Sequence, residues 1–277
     1  MADDMADDMA DYVAVNKANW DERAPAHAAS PDYGVRRFLD DPDHISDVVR
    51  FDRPRLGDLT GVRGAHLQCH IGTDTLSLAR LGARMSGLDF SPTALRQARD
   101  LAGDLVDYHE AEVYDAVDVL GARSYDLVYT GIGALCWLPS VERWARVVAD
   151  LLRPGGRVFL REGHPMLWAL DEHADPPAPR YSYFEQAEPL AMDGGETYVA
   201  TDAVFTHTRS YSWNHGVGEV ATALLAAGLR LTRLEEHDSV PWNALPGHMV
   251  EDAAGQWRLR ETPERLAATY TVEAVKG

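Results

Sequence analysis

The chain has 277 residues, 45% of them hydrophobic, and its 44 acidic and 26 basic side chains give a formal net charge of −18. Such a length suits one α/β domain with an insertion, or at most two small domains. Because binding to nucleic acid and to anionic lipid depends on basic surfaces, this charge argues against both as partners.

The start of the chain lacks the basic region and the apolar core of a signal peptide, and no apolar run approaches the ~18 residues of a membrane span. We therefore expect a cytoplasmic protein without a membrane partner. The two cysteines, Cys69 and Cys136, give no disulfide framework. Residues 1–11 repeat Met-Ala-Asp-Asp and predict a disordered acidic tail, which leaves 12–277 as a single domain.

A helical segment begins at Tyr12 and contains Trp20 and Arg23. Residues 64–92 then predict a strand, a tight loop at Gly72, a helix, and a second strand that ends at Asp89. In dinucleotide-binding folds, a carboxylate roughly 20 residues after the first loop receives a ribose hydroxyl. This unit is the most informative part of the sequence.

The alternation of strands and helices continues after Asp89. Ser91 and Pro92 suit the N-cap and the first residue of a helix. Further strands are predicted at 106–109, 125–130, 157–161, 229–235 and 270–275, with helices at 141–152 and 218–227. This alternation predicts an α/β fold with a mostly parallel sheet. Residues 163–214 interrupt it with many aromatic side chains, and the run 197–213 is rich in strand formers.

Ligands of open α/β sheets bind beyond the carboxyl ends of the strands, where the strand order reverses. Polar residues and glycines follow five of the predicted strands at that edge. They are Gln68 to Gly72, Asp89 and Phe90, Glu112 and Val113, Thr130 and Gly131, and Glu162 to His164. We expect the functional site there.

Four segments of the sequence are similar to those of a known enzyme family. They read Leu-Gln-Cys-His-Ile-Gly-Thr-Asp-Thr-Leu, Ala-Arg-Leu-Gly-Ala, Gly-Leu-Asp-Phe-Ser-Pro and, later in the chain, Leu-Arg-Pro-Gly-Gly-Arg. The chain resembles class I S-adenosylmethionine-dependent methyltransferases, in a variant common among bacterial small-molecule methyltransferases. The resemblance runs from Trp20 to Lys276. The family's first loop usually reads acidic-x-Gly-x-Gly-x-Gly; its places are taken here by His66, Gln68, His70 and Gly72.

The resemblance implies a Rossmann-like sheet of seven strands in the order 3-2-1-4-5-7-6, with the last strand antiparallel. It implies S-adenosylmethionine as cofactor and S-adenosylhomocysteine as product. The cofactor contacts that it implies are Trp20, Arg23, Gln68, Cys69, His70, Gly72, Asp89, Phe90, Glu112, Val113, Thr130 and Gly131.

Some of these positions have particular roles in the family. An acid at Glu112 receives the adenine amino group, the amide of Val113 bonds the ring, and carbonyls after the fourth strand face the methionine ammonium. Residues 12–60 would form a helical lid that carries Trp20 and Arg23. The alternative for Trp20 is packing on the core, and the alternative for Arg23 is a surface charge.

Methyl transfer needs aligned reactants and, for some acceptors, a general base. His164 follows the fifth strand and is the first candidate base, with a hydrogen bond to its own loop as the alternative. His215 is the second candidate, although capping of the following helix together with Asn214 is the commoner role. Tyr33, Trp137 and Trp213 are candidate acceptor contacts, with core packing as the alternative. Residues 163–214 would wall this acceptor site.

The leading hypothesis is methyl transfer to a small aromatic or apolar acceptor at oxygen, nitrogen or carbon. A nicotinamide-dependent oxidoreductase would need Gly-x-Gly-x-x-Gly, where this chain has Gln68-x-His70-x-x-Thr73. A non-catalytic cofactor-binding protein on the same fold is a third hypothesis. The spacing His66-x-x-Cys69-His70 matches no usual zinc site, so no metal is expected. Both a monomer and a homodimer remain open.

Overall fold

The computed structural model describes residues 12–277. Its strands are β1 Arg63–Leu67, β2 Arg84–Asp89, β3 Val106–Glu110, β4 Tyr125–Thr130, β5 Leu152–Gly163, β6 Leu170–Asp171, β7 Ala178–Pro179, β8 Leu190–Asp193, β9 Arg209–Ser212, β10 Leu229–His237, β11 Met249–Glu251, β12 Trp257–Leu259 and β13 Thr269–Lys276. Its α-helices are α1 Tyr12–Ala29, α2 Val35–Asp40, α3 Asp47–Leu56, α4 Thr73–Arg80, α5 Pro92–Ala102, α6 Ala116–Leu120, α7 Val141–Leu151, α8 Pro165–Trp168 and α9 Val217–Ala226.

Seven strands form the central sheet, in the order β10-β13-β5-β4-β1-β2-β3. All neighbours are parallel except β13, which runs antiparallel to both β5 and β10. Counted among these seven strands, the order is the predicted 3-2-1-4-5-7-6, so the predicted Rossmann-like fold is confirmed.

Helices cover both faces of this sheet, as parallel strands require. On one face, α7 and α9 pack together over a core that contains Trp144 and Leu224. On the other face, α4 and α5 contribute Leu76 and Leu95 to a second core, which also contains Phe159. These two layers hold the carboxyl ends of the strands at one open edge.

Local sequence signals fix most boundaries. The hydroxyl of Ser91 accepts the Ala94 N–H at 3.0 Å, so α5 begins where the serine and proline predicted. Gly82 follows α4 with a φ of 102°, as expected of a glycine beyond a helix end. β5 is an exception, because it includes the Pro-Gly-Gly turn and extends beyond the predicted 157–161 at both ends.

The segment 163–214 contains less regular structure than its composition predicted. Within the run 197–213, only β9 is a strand, and it pairs with β8. The helix after this segment begins at Val217 with Gly216 as N-cap, so the expectation of an Asn214 cap was wrong. Asn214 instead donates its amide N–H groups to the carbonyls of Pro165 and Ser182.

The segment 163–214 is the first excursion from the central sheet. A second excursion, residues 238–268 between β10 and β13, was not predicted. It contains the β11–β12 hairpin and a separate apolar cluster in which Val240, Leu245 and Met249 pack against Leu167 of α8. The two excursions therefore meet above the sheet edge.

In the described part of the chain, every helix is too short or too polar to cross a bilayer. The acidic tail predicted for residues 1–11 lies outside the described residues.

Candidate functional site

A cavity of about 1400 Å³ opens at the carboxyl edge of the sheet. It is bounded by the loops after β1, β2, β3 and β4, by α1, and by both excursions. Among the predicted site residues, those that line it are Trp20, Tyr33, Gln68, Cys69, His70, Asp89, Phe90, Glu112, Val113, Gly131, Trp137 and Trp213. Arg23, Gly72, Thr130, His164 and His215 are not among its lining residues.

The first loop keeps a glycine-like backbone although two of its expected glycines are absent. Gln68, His70 and Gly72 have φ angles of 57°, 50° and 77°. A left-handed conformation is unfavourable by roughly 1–2 kcal/mol for a residue with a Cβ. Gly72 has an additional steric reason, because a Cβ there would lie 2.3 Å from Tyr108 Oη. The loop therefore keeps left-handed conformations that suit glycine, with strain at the two substituted positions.

The side chains that replace the two glycines connect this loop to its surroundings. Gln68 Nε2 donates to the carbonyl of Ala134 after β4, at 2.9 Å. His70 Nε2 lies 2.9 Å from His27 Nδ1 of α1, and His27 Nε2 lies 2.7 Å from Thr197 Oγ1. A chain of hydrogen bonds thus joins the first loop, α1 and the first excursion.

Aromatic side chains surround this chain of hydrogen bonds. Trp20 meets the rings of His70 and Trp137 edge-on, at centroid distances of 5.1 and 5.3 Å. Tyr33 stacks on His27 at 5.5 Å, and its hydroxyl is hydrogen-bonded to that of Tyr198. The helix α1 therefore lies across the cavity, and its role as a lid stays a prediction.

Arg23 lies on the same helix but points away from the cavity. Its guanidinium donates to the carbonyls of His207 at 2.9 Å and Gly194 at 3.0 Å, and it lies over the ring of Phe205. In this structure Arg23 joins α1 to the first excursion, and its contact with a cofactor stays a prediction.

Asp89 and Glu112 stand at the ends of β2 and β3. Asp89 accepts the N–H groups of His70 at 2.8 Å and Ser91 at 2.9 Å, and burial raises its pKa to about 6. Glu112 accepts the Tyr114 N–H at 2.7 Å, and burial raises its pKa to about 6 as well. Both carboxylates line the cavity, and their contact with a cofactor stays a prediction.

Glu162, at the end of β5, holds the loop after β4. Its buried carboxylate accepts backbone N–H groups from Ala134 and Leu135 at 2.8 Å each, and from Gly163 at 2.7 Å. Burial raises the pKa of Glu162, and these donors oppose that effect. Glu162 thereby positions the Gly131 segment beside the first loop.

The two candidate bases have partners on both ring nitrogens. His164 Nδ1 accepts the Met166 N–H at 3.1 Å and Nε2 lies 2.9 Å from Glu236 Oε1. Burial lowers the pKa of His164. This arrangement matches the loop-bonded alternative. His215 Nε2 donates to the carbonyl of Leu138 at 2.8 Å, and its Nδ1 lies 2.7 Å from Glu185 Oε2.

One end of the cavity is aromatic and apolar. Trp168 of the first excursion stacks on Trp242 of the second, with ring centroids 5.6 Å apart. Leu167, Leu245 and Trp257 line the same cavity. The second excursion has no repeated pattern, so this wall could not be predicted from local sequence. His27 could have been found, since it lies two helical turns after Trp20 and so on the same face.

The cavity is electronegative. Its lining contains the carboxylates Asp32, Asp47, Asp74, Asp89, Glu112, Glu172, Glu188 and Glu251, against the guanidinium groups of Arg37 and Arg180. Such a field favours cationic or neutral ligands over anionic ones.

A family model described as a methyltransferase domain matches residues 65–158, which span β1 to β5. Residues 65–158 are therefore a methyltransferase domain, and the strand order is that of the class I, S-adenosylmethionine-dependent fold. The match covers the strands that carry the first loop, Asp89 and the loop after β4.

Among curated proteins, the chain is 39% identical to a ubiquinone biosynthesis O-methyltransferase of Ralstonia nicotianae, over 44% of this chain and 52% of that relative. The chain thus spans about half the length of the curated relatives it matches. Among solved structures, an S-adenosylmethionine-dependent methyltransferase of Mesorhizobium loti matches with a TM-score of 0.58 and 22% identity, over 83% of this chain and 98% of that one. DhpI in complex with S-adenosylhomocysteine matches with a TM-score of 0.55 and 15% identity, over 96% of this chain and 97% of that one. These structural likenesses establish the fold.

Proposed function

We propose that this protein transfers the methyl group of S-adenosylmethionine to a small aromatic or otherwise apolar acceptor. One observation carries the proposal: a single cavity joins the family's cofactor positions to a wall of tryptophans. Asp89 and Glu112 lie in one part of this cavity, and Trp168, Trp242 and Trp257 contribute to its lining elsewhere.

The residues present fit the cofactor. Asp89 and Glu112 occupy the places that receive the ribose and the adenine in the family, and each carboxylate borders the cavity. Gln68 Oε1 is buried and has no hydrogen-bond partner among residues 12–277, as expected of a group that meets a donor on a ligand. The excess of carboxylates also suits a ligand that carries a positive charge.

The acceptor class rests on the tryptophan wall and on the relatives. Indole rings bury large apolar areas and stack on flat ligands. The relative from Ralstonia nicotianae is named as an O-methyltransferase of ubiquinone biosynthesis. A hydroxyl group on an aromatic ring is therefore the first acceptor to test.

When bound, the cofactor supplies a methyl group that its sulfonium has already activated. The protein then mainly has to align the acceptor with that methyl group, which can lower the barrier by roughly 7–11 kcal/mol. The lid α1 covers the reacting groups and limits the entry of water. Because His164 and His215 are both engaged elsewhere, neither offers a free ring nitrogen to the acceptor.

The test is release of S-adenosylhomocysteine from S-adenosylmethionine in the presence of a panel of phenols, catechols and aromatic amines. We expect release that depends on one acceptor class and yields the methylated product by mass spectrometry. A protein that binds the cofactor and releases nothing with any member of the panel would support the non-catalytic hypothesis instead.

A further inference from the structure

His66 and Asp74 border one small space above Gly131. A Cβ built on Gly131 would lie 3.5 Å from His66 Nε2 and 3.5 Å from Asp74 Oδ2. His66 lies within β1, Asp74 lies in the first turn of α4, and Gly131 follows β4. All three line the cavity. Two strands and a helix therefore bring an imidazole and a carboxylate to the same point.

His66 offers a hydrogen-bond acceptor to that space. The ring is 3% exposed, and its Nδ1 lies 2.8 Å from Thr75 Oγ1, while Nε2 has no partner within residues 12–277. Burial lowers its pKa to about 3, so the ring is neutral at physiological pH. With Nδ1–H donating to Thr75, the lone pair of Nε2 faces the cavity.

Asp74 offers negative charge to the same space. It forms no salt bridge with a described residue; Arg161, the cation whose charge acts on it, forms its salt bridge with Asp52. Burial raises the pKa of Asp74 to about 6, against a hydrogen bond from Ser46. At neutral pH it is a carboxylate that forms no salt bridge with a described residue, and the buried side-chain oxygen of Gln68 in the first loop also lacks a donor.

We propose that Asp74, His66 and Gln68 together bind the ammonium group of the cofactor's methionine portion. An ammonium group has three N–H donors, which match the unpartnered His66 nitrogen, the unpartnered Gln68 oxygen and the Asp74 carboxylate, whose lone pairs are not all used by the bond from Ser46. A sulfonium has no N–H and would leave them unsatisfied. Asp74 thus supplies, from α4, the charge that the family's loop carries at the position of His66. This inference rests on the proposed function.

The test compares two ligands by calorimetry. S-adenosylhomocysteine carries the ammonium group, whereas methylthioadenosine shares its adenosine and thioether but lacks the whole amino acid portion. In Asp74→Asn we expect the dissociation constant for S-adenosylhomocysteine to rise about tenfold or more, because one partner of a buried charge pair is removed. Binding of methylthioadenosine should stay within about twofold, which also shows that the variant is folded.

Asp40→Asn is the matched control, since Asp40 pairs with Arg36 on the exposed side of α2 and lies outside the cavity lining. It should leave both ligands within about twofold of wild type. A second variant, His66→Asp in the Asp74→Asn background, returns the carboxylate to the family's position and should restore binding of S-adenosylhomocysteine.

Three outcomes would overturn the proposal. Equal weakening of both ligands in Asp74→Asn would show a general structural effect, and unchanged binding of both would show that Asp74 does not meet the ammonium group. A wild-type protein that binds neither ligand would remove the proposed function as well. The first two results leave that function standing.

Discussion

His70 of the first loop lies 2.9 Å from His27 of the lid helix, imidazole to imidazole. The position where this family usually has a glycine is therefore a contact between the cofactor loop and the lid. We call the hydrogen-bond chain His70–His27–Thr197 the latch, because it joins the first loop to the lid helix and to the first excursion.

His70→Gly should speed ligand release. Glycine adopts the φ of 50° without strain, but it removes the bond to His27. One hydrogen bond contributes about 1 kcal/mol, so we expect S-adenosylhomocysteine to dissociate roughly 3- to 10-fold faster in a stopped-flow experiment. Thr197→Val should act in the same direction from the other end of the chain.

The matched control for the latch is Thr201→Val, because Thr201 is exposed and bonds only its own turn. Its dissociation rate should equal that of wild type. Unchanged rates in both His70→Gly and Thr197→Val would show that the latch does not hold the ligand.

Gly72→Ala should destabilise the fold more than a left-handed glycine elsewhere does. A Cβ at Gly72 would lie 2.8 Å from Ala98 Cβ, while nothing lies within 4 Å of a Cβ at Gly57, whose φ is 68°. We expect a loss of about 1 kcal/mol for Gly57→Ala and a further loss of roughly 1–3 kcal/mol for Gly72→Ala in urea unfolding. Equal losses would mean that backbone conformation alone explains Gly72.

Protonation of His27 should weaken the folded state in acid. Burial lowers its pKa to about 4, and Arg23 lowers it further while Asp32 opposes. Since the folded-state pKa lies below the unfolded value near 6.5, this contribution is present above pH 6.5 and is lost as the pH falls towards 4. Relative to His27→Gln, wild type should lose about 2 kcal/mol of unfolding free energy across that window. A difference that does not change with pH would contradict the assignment.

Arg23→Ala should loosen the lid. The side chain ties α1 to the carbonyls of His207 and Gly194, so hydrogen exchange in α1 should accelerate and stability should fall by roughly 1–3 kcal/mol. Arg36→Ala, which removes only an exposed pair with Asp40, is the control and should change stability by less than ~1 kcal/mol. Loss of cofactor affinity without faster exchange would instead place Arg23 at the cofactor.

The sheet was predictable because its signals are local. The cap at Ser91, the turn at Gly82 and the alternation of apolar segments each depend on a few neighbouring residues. The side-chain roles were less accessible, because they depend on residues far apart in the chain. The resemblance implied a cofactor contact for Arg23, yet the carbonyls of His207 and Gly194, to which it donates, lie more than 170 residues away in the chain.

The tryptophan side chains of the second excursion were also not predictable, because their contacts join distant parts of the chain. Trp242 and Trp257 gain meaning only beside Trp168, which lies in another part of the chain. The aromatic residues of the first excursion were predicted from the sequence, but the stack that joins the two excursions was not. Tertiary packing, which no local pattern encodes, determines where these tryptophan side chains lie.

Calorimetric titration of the purified protein with S-adenosylmethionine and S-adenosylhomocysteine tests the central claim most directly, with NADH as the control ligand and Asp89→Ala as the control variant. We predict micromolar binding of both sulfur nucleotides, loss of that binding in Asp89→Ala, and no binding of NADH. Absence of binding for both sulfur nucleotides would contradict the account and would mean that Gln68 and His70 close the site.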